Sequence, residues 1–141
     1  MPATVVMRKL ALLLPKGLDR TAADSQEGFG SFVLDDGKGA SLVQVNVQPG
    51  MSDVAGELFG ADAETLPDGT RVTTRQVPGE KGGAGVVWWT VDTLRTDGLR
   101  VVVSAFNTGD QNKDATRAKP ALTMKQLRDI ALSARWTSDE D

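Results

Sequence analysis

The stretch Val86-Val-Trp-Trp-Thr-Val-Asp-Thr-Leu-Arg95-Thr-Asp-Gly-Leu-Arg-Val-Val-Val-Ser-Ala-Phe-Asn107 decides the fold. Two runs rich in β-branched and aromatic residues flank Thr96-Asp97-Gly98. An Asp-Gly pair between such runs is the composition of a tight hairpin turn. Val86 to Arg95 and Leu99 to Asn107 are therefore expected as paired antiparallel strands. Successive strand side chains point to opposite faces, so adjacent Trp88 and Trp89 must diverge. Trp89 travels with Val87 and Val91, an apolar set that belongs in a core. Trp88 travels with Val86, Thr90 and Asp92. The partner strand divides the same way: Leu99, Val101, Val103 and Ala105 against Arg100, Val102, Ser104 and Phe106.

The mixed face thus offers Trp88, Thr90, Arg100 and Phe106 as candidate contact residues. Under a helix it is a second core layer. Left open, it is an aromatic platform for a protein, sugar or peptide. Asp92 sits within a mostly apolar strand, where a buried carboxylate with a raised pKa is a candidate functional group. The alternative is a cross-strand ion pair, for which Arg100 is well placed.

Working outward, Pro78 to Gly85 is a glycine-rich loop, and Thr70 to Val77 reads as a polar strand at a sheet edge or on a wet surface. Ser41 to Gln48 alternates cleanly, Val43, Val45 and Val47 against Gln44, Asn46 and Gln48, the pattern of a half-buried antiparallel strand. Asp36-Gly-Lys-Gly39 joins it in a hairpin to Phe29–Asp35, whose Phe32 and Leu34 share one face and Phe29 and Val33 the other. Ser52 to Phe59 is expected as a short helix capped by Ser52, with Val54 and Leu58 inward. Residues 18–28 are polar and read as a loop.

The ends are helical. Ala3 to Leu14 places Val6, Leu10, Leu13 and Leu14 on one face, with Arg8, Lys9 and Lys16 toward the helix dipole's negative end and Pro15-Lys-Gly17 as the stop. Thr108 to Pro120 is a polar loop. Thr123-Met-Lys-Gln126 matches a capping box, with Leu122 and Leu127 as its hydrophobic staple. Leu127, Ile130, Ala131 and Ala134 form the expected buried stripe, and Trp136 closes the core edge. The fold class is α+β: an antiparallel sheet of about five strands with N- and C-terminal helices on one face, one domain over residues 1–141.

Composition bounds the chemistry. The chain has 141 residues, a formal charge of −3, and no His, Cys or Tyr. That excludes a Ser-His-Asp triad, a Cys nucleophile, disulfides and zinc sites of the usual ligands. Residues 1–69 carry 5 basic and 10 acidic side chains and residues 70–136 carry 11 and 6, with Asp139, Glu140 and Asp141 following. Opposed halves suit attraction within one fold rather than a nucleic-acid footprint. No stretch reaches the roughly 20 apolar residues of a membrane helix. The run Leu10–Leu14 is too short for a signal peptide. There is no Asn-x-Ser/Thr site.

Three motif-like segments are weak. Gly79-Glu-Lys-Gly-Gly-Ala-Gly85 has the wrong spacing for a phosphate loop and precedes a strand, which makes it a turn or a mobile flap beside Trp88. Gly37-Lys38-Gly39 fails as well, because Phe32 takes the first glycine position. Asp110, Asn112 and Asp114 alternate like calcium ligands, but Ala115 and Ala121 replace the required Gly and Glu. No cofactor or metal is expected, and no acidic pair is singled out for hydrolase work.

From Leu66 to Trp136 the chain resembles extracytoplasmic domains of uncharacterised actinobacterial membrane-anchored or secreted proteins. The resemblance lies in Leu66-Pro-Asp-Gly-Thr70, Gly79 to Arg95, Asp97 to Asn107 and Ala121 to Ala131, with Asp35 to Ala40 in the first hairpin. These are turns and strands, so it brings no catalytic residues. Together with the lack of a catalytic constellation in the sequence and the mixed aromatic face, it points to a non-enzymatic binding or sensing domain outside the cytoplasmic membrane, tethered by a segment absent from this chain. The alternatives are a secreted inhibitor or other protein-binding module, and a hydrolase using Asp or Glu.

Overall fold

A computed structural model describes residues 1–138. The chain runs α1 (Ala3–Leu13), β1 (Asp19–Gln26), β2 (Phe29–Asp35), β3 (Ala40–Gln48), a 3-10 turn (Ser52–Val54), α2 (Ala55–Leu58), β4 (Glu64–Thr65), β5 (Arg71–Pro78), β6 (Val87–Leu94), β7 (Arg100–Phe106), α3 (Met124–Ala131) and a second 3-10 turn (Ala134–Thr137). The strands form one antiparallel sheet in the order β1-β2-β3-β7-β6-β5-β4. The class is α+β as expected, with seven strands rather than about five.

The two extra strands lie at the edges. Polar residues 18–28, expected as a loop, contain β1, whose eight residues are all exposed. Backbone hydrogen bonding to β2 makes it a strand, interrupted by a register shift between Ala22 and Ser25. Polar side chains and an irregular register discourage pairing with another chain at this edge. β4 has two residues, so β5 is flanked on that side by little more than solvent.

The inner face is built from alternate residues of the central strands. Val43, Val45 and Val47 of β3 stand opposite Ala105, Val103 and Val101 of β7, and Val91 of β6 continues the row. All seven are buried. α1 seals the β1–β2–β3 half and α3 the β6–β7 half, and one cluster joins Val6, Leu10 and Leu14 to Leu127, Ile130 and Trp136. α1 approaches β2 over Gly30, where an added Cβ would sit 2.9 Å from the Met7 sulfur. Burial of such apolar side chains contributes about 1.5–3 kcal/mol each.

α3 starts as its sequence dictates. Thr123 Oγ1 accepts from the Gln126 backbone N–H at 3.1 Å, and Gln126 Oε1 accepts from the Thr123 N–H at 2.9 Å. Both staple residues, Leu122 and Leu127, are buried. The helix ends at Ala131, earlier than the stripe implied, so Ala134 falls in the following turn and is exposed. Arg95 donates to the Ala131 and Ser133 carbonyls at 3.1 and 3.0 Å, placing a cation at the helix C-terminus. Trp136 is buried, and its indole N–H donates to the Ile130 carbonyl at 2.8 Å.

Lys9 departs from the dipole reading of α1. It is 2 % exposed, and its ammonium donates to the carbonyls of Arg135 and Ser138, tying the first helix to the last turn. The Ser52 segment is a 3-10 turn running into the four-residue α2, with no side-chain cap among the described residues. Val54 and Leu58 are only half-buried; Phe59, just past the helix, is the inward residue. Asp139, Glu140 and Asp141 lie outside the described residues.

Candidate functional site

The outer face of the same strands carries no long helix. Three cross-strand rows define it: Gln44, Ser104, Thr90 and Arg75; Asn46, Val102, Asp92 and Thr73; Gln48, Arg100, Leu94 and Arg71. Two corners are closed. At one, Phe59 is buried with the Arg71 guanidinium 5.9 Å from its ring centroid, and Arg71 donates to the Phe59 and Gly60 carbonyls. The Met51 N–H donates to the Gly98 carbonyl at 2.9 Å, which fastens the segment before α2 to the β6–β7 turn. At the other corner Trp88 stacks on Phe106, with centroids 6.2 Å apart and planes at 17°.

Between the corners lies a groove of about 270 Å³ lined by Glu57, Leu58, Thr73, Arg75, Trp88, Thr90, Asp92, Arg100 and Val102. It therefore brings together three of the four sequence-derived contact residues, Trp88, Thr90 and Arg100. Phe106 does not reach it as a surface: it is 1 % exposed and serves as the bed on which Trp88 lies. Thr90 is 8 % exposed and contributes floor rather than rim. Of the four expected contact residues, Trp88 and Arg100 are half-buried and Thr90 and Phe106 are buried beneath them.

Hydrogen bonds fix the floor. The Trp88 indole N–H donates to Ser104 Oγ at 3.1 Å, and Ser104 donates onward to Thr90 Oγ1 at 3.2 Å. Arg100 grips Asp92 with two charge-assisted bonds, Nε to Oδ1 at 2.9 Å and Nη2 to Oδ2 at 2.6 Å, and its Nη1 donates to Gln48 Oε1 at 3.2 Å. The ion pair read from the sequence is thus present. A fork-to-fork pair of this kind is geometrically rigid. Each Asp92 oxygen accepts one bond from Arg100, which fixes the direction in which its remaining lone pairs face the groove.

The sequence did not mark Glu57, Leu58, Thr73 and Arg75 as groove residues. α2 delivers the first two across a gap of about thirty residues from β6. Arg75 sits in β5 opposite Thr90, in a segment whose polarity suggested only exposure. The register rows are the signal that places it, and they require the β5–β6 pairing.

A second hollow, of about 480 Å³, adjoins the other half of this face. Ser31, Leu42, Gln44, Lys81 and residues 109–112 are among its walls. Lys81 of the glycine-rich loop lines this hollow, and the loop is held by hydrogen bonds to the 110–115 segment. Gly83 N–H donates to the Gln111 carbonyl, Ala84 N–H to Asp114 Oδ1 and Ala115 N–H to the Ala84 carbonyl. A Cβ on Gly83 would come within 2.0 Å of the Lys113 carbonyl oxygen, so only glycine permits this approach. Asp110 and Asp114 spend oxygens on such turn and loop bonds, the Asx-turn alternative to calcium binding. Among the described residues no group of three or more acidic side chains is placed to hold a metal ion.

The shifted carboxyl groups lie on the rims. Hydrogen bonding to Arg117 holds Asp36 below the usual carboxylate range, Arg128 does the same for Glu64, and the Thr70 backbone N–H for Asp68. The Asp36–Arg117 pair fastens the β2–β3 turn to the 107–120 loop, and Glu64–Arg128 fastens β4 to α3. Burial lowers the pKa of Arg95.

Comparison with protein-family models, curated proteins and solved structures returns no match. Among the described residues no helix is long and apolar enough to cross a membrane.

Proposed function

We propose that this domain is a non-enzymatic binding or sensing module that works outside the cytoplasmic membrane, joined to it through a segment beyond this chain. Its contact surface is the outer sheet face around Trp88. One observation carries the reading: the strands that bury one face under two helices leave the other with a groove containing a half-buried tryptophan and a rigid Asp92–Arg100 fork. Ligand sites typically combine such a concave surface with a few oriented polar groups. The extracytoplasmic and anchored parts of the proposal rest on the motif resemblance alone. A hydrolase fits less well, since Asp92, one of the two carboxylates lining the groove, is held by Arg100.

The test is capture of partners from envelope and soluble extracts of the source cells by the wild-type domain and by Val102→Arg, which fills the groove from a half-buried position. A partner retained by wild type and lost by a folded Val102→Arg supports the proposal. Equal capture by both, or none by either, contradicts it. The full-length gene product separates the two envelope readings: a membrane anchor fits the tethered domain, and a cleaved leader alone fits a secreted inhibitor.

A further inference from the structure

The outer face has a specific chemistry beyond being open. β3 presents three amides in alternation, Gln44, Asn46 and Gln48, on an interior strand of the seven-stranded sheet, between β2 and β7. All three are half-buried. Gln48 accepts from Arg100, whereas among the described residues Gln44 and Asn46 have no side-chain partner within the protein. Each amide holds a donor and an acceptor in one plane. The successive side chains span about 13 Å at strand spacing, more than one small ring needs. Across the strands the Asn46 row leads over Val102 to Asp92, and the Gln44 row over Ser104 and Thr90 to Arg75.

The groove's charges cancel. Glu57 and Asp92 oppose Arg75 and Arg100. An anionic polymer would meet two carboxylates, and a cationic one two guanidinium groups. A lipid tail would leave the amide row unpaired, at a desolvation cost. What fits is an uncharged ligand with a dense, alternating set of donors and acceptors and a flat apolar patch for Trp88. We propose that the groove and the adjoining amide row bind a neutral, polyhydroxylated carbohydrate chain. Asn46 and Gln44 pair with its hydroxyls, the Asp92–Arg100 fork spans two adjacent ones, and one ring rests against Trp88. This inference rests on the proposed binding role of the same face.

The experiment follows the three tryptophan indole N–H signals by NMR in the ¹⁵N-labelled chain. The probes are soluble glucan, mannan, galactan, arabinan and N-acetylhexosamine oligomers. With at least one probe the Trp88 signal should move in a saturable way while those of Trp89 and Trp136 stay. Asn46→Ala should weaken that binding roughly tenfold, the scale of one lost hydrogen bond, with an unchanged thermal midpoint. Gln44→Ala provides a second variant at another half-buried position of the same strand face. Silence of Trp88 toward the whole panel overturns the proposal, as does binding that neither variant weakens. If the panel is silent while Val102→Arg still abolishes capture of a protein, the carbohydrate inference fails and the binding face stands. If capture is also absent, both fail.

Discussion

The two faces of this sheet are made by the same strands and differ in kind. On β3, Val43, Val45 and Val47 are buried, while Gln44, Asn46 and Gln48 between them are half-buried. On β7 the inner Val101, Val103 and Ala105 lie under helices, while Arg100 and Val102 line a groove. Side-chain alternation along a strand is enough to create both surfaces from one segment. Stability is invested on one side. The other side carries polar groups that a sheet does not need for folding. That surplus is what supports the proposed recognition role.

The contrast is broken most severely from the inner side. Leu10→Ala leaves a cavity where the residue is fully buried, with an expected loss of about 2–5 kcal/mol in urea unfolding. Asn46→Ala, on the opposite side of the sheet, should stay within about 0.5 kcal/mol of wild type. Equal losses would show that both faces are core.

Next is the buried cation. Lys9→Met keeps the apolar stem of the side chain and removes the donor to the Arg135 and Ser138 carbonyls. Losing these two buried charge-assisted bonds should cost about 1–3 kcal/mol. Amide exchange should quicken in residues 134–138 and change little in β2 and β3. A neutral result would mean that water replaces the ammonium there.

The smallest effects belong to the rims. Asp36 and Glu64 have folded-state pKa values below their unfolded ones, so their ion pairs contribute above the unfolded pKa and are lost as pH falls through the folded value. The stability difference between wild type and Asp36→Asn, or Glu64→Gln, should be constant near neutrality and shrink below about pH 4. Both groups are solvent-facing, so the difference is small and should diminish further in high salt. A difference that grew with acidity would reverse the assigned sign.

Much of this was legible wherever burial imposes a pattern. The β6–β7 hairpin, the alternation of β3 and the α3 capping box each combine a local signal with a tertiary consequence. The Asp92–Arg100 pair was legible because a hairpin's turn fixes which residues are near. β1 was not, since Asp19–Gln26 buries no side chain and its strand character comes from backbone pairing with β2. Arg75, Glu57 and Leu58 were invisible as site residues because the β5–β6 register and the docking of α2 bring them to the groove. Phe106 was legible as a neighbour of Trp88 but not as its buried support, since alternation states which face a residue takes and not what covers it. The amides of β3 were plain in the sequence, but only their place on an interior strand, between β2 and β7, distinguishes them from ordinary solvent-facing residues.

The native chain contains no cysteine, so single thiols can be placed on either side of one strand without background. Labelling Asn46→Cys and Val45→Cys with a small thiol reagent under native conditions compares neighbours one residue apart. Asn46→Cys, at a half-buried position, should react within about tenfold of the urea-unfolded chain. Val45→Cys should react on the order of a hundredfold more slowly or less, limited by unfolding. Equal protection of the two thiols would mean that the outer face is covered, and the recognition surface would be lost with it.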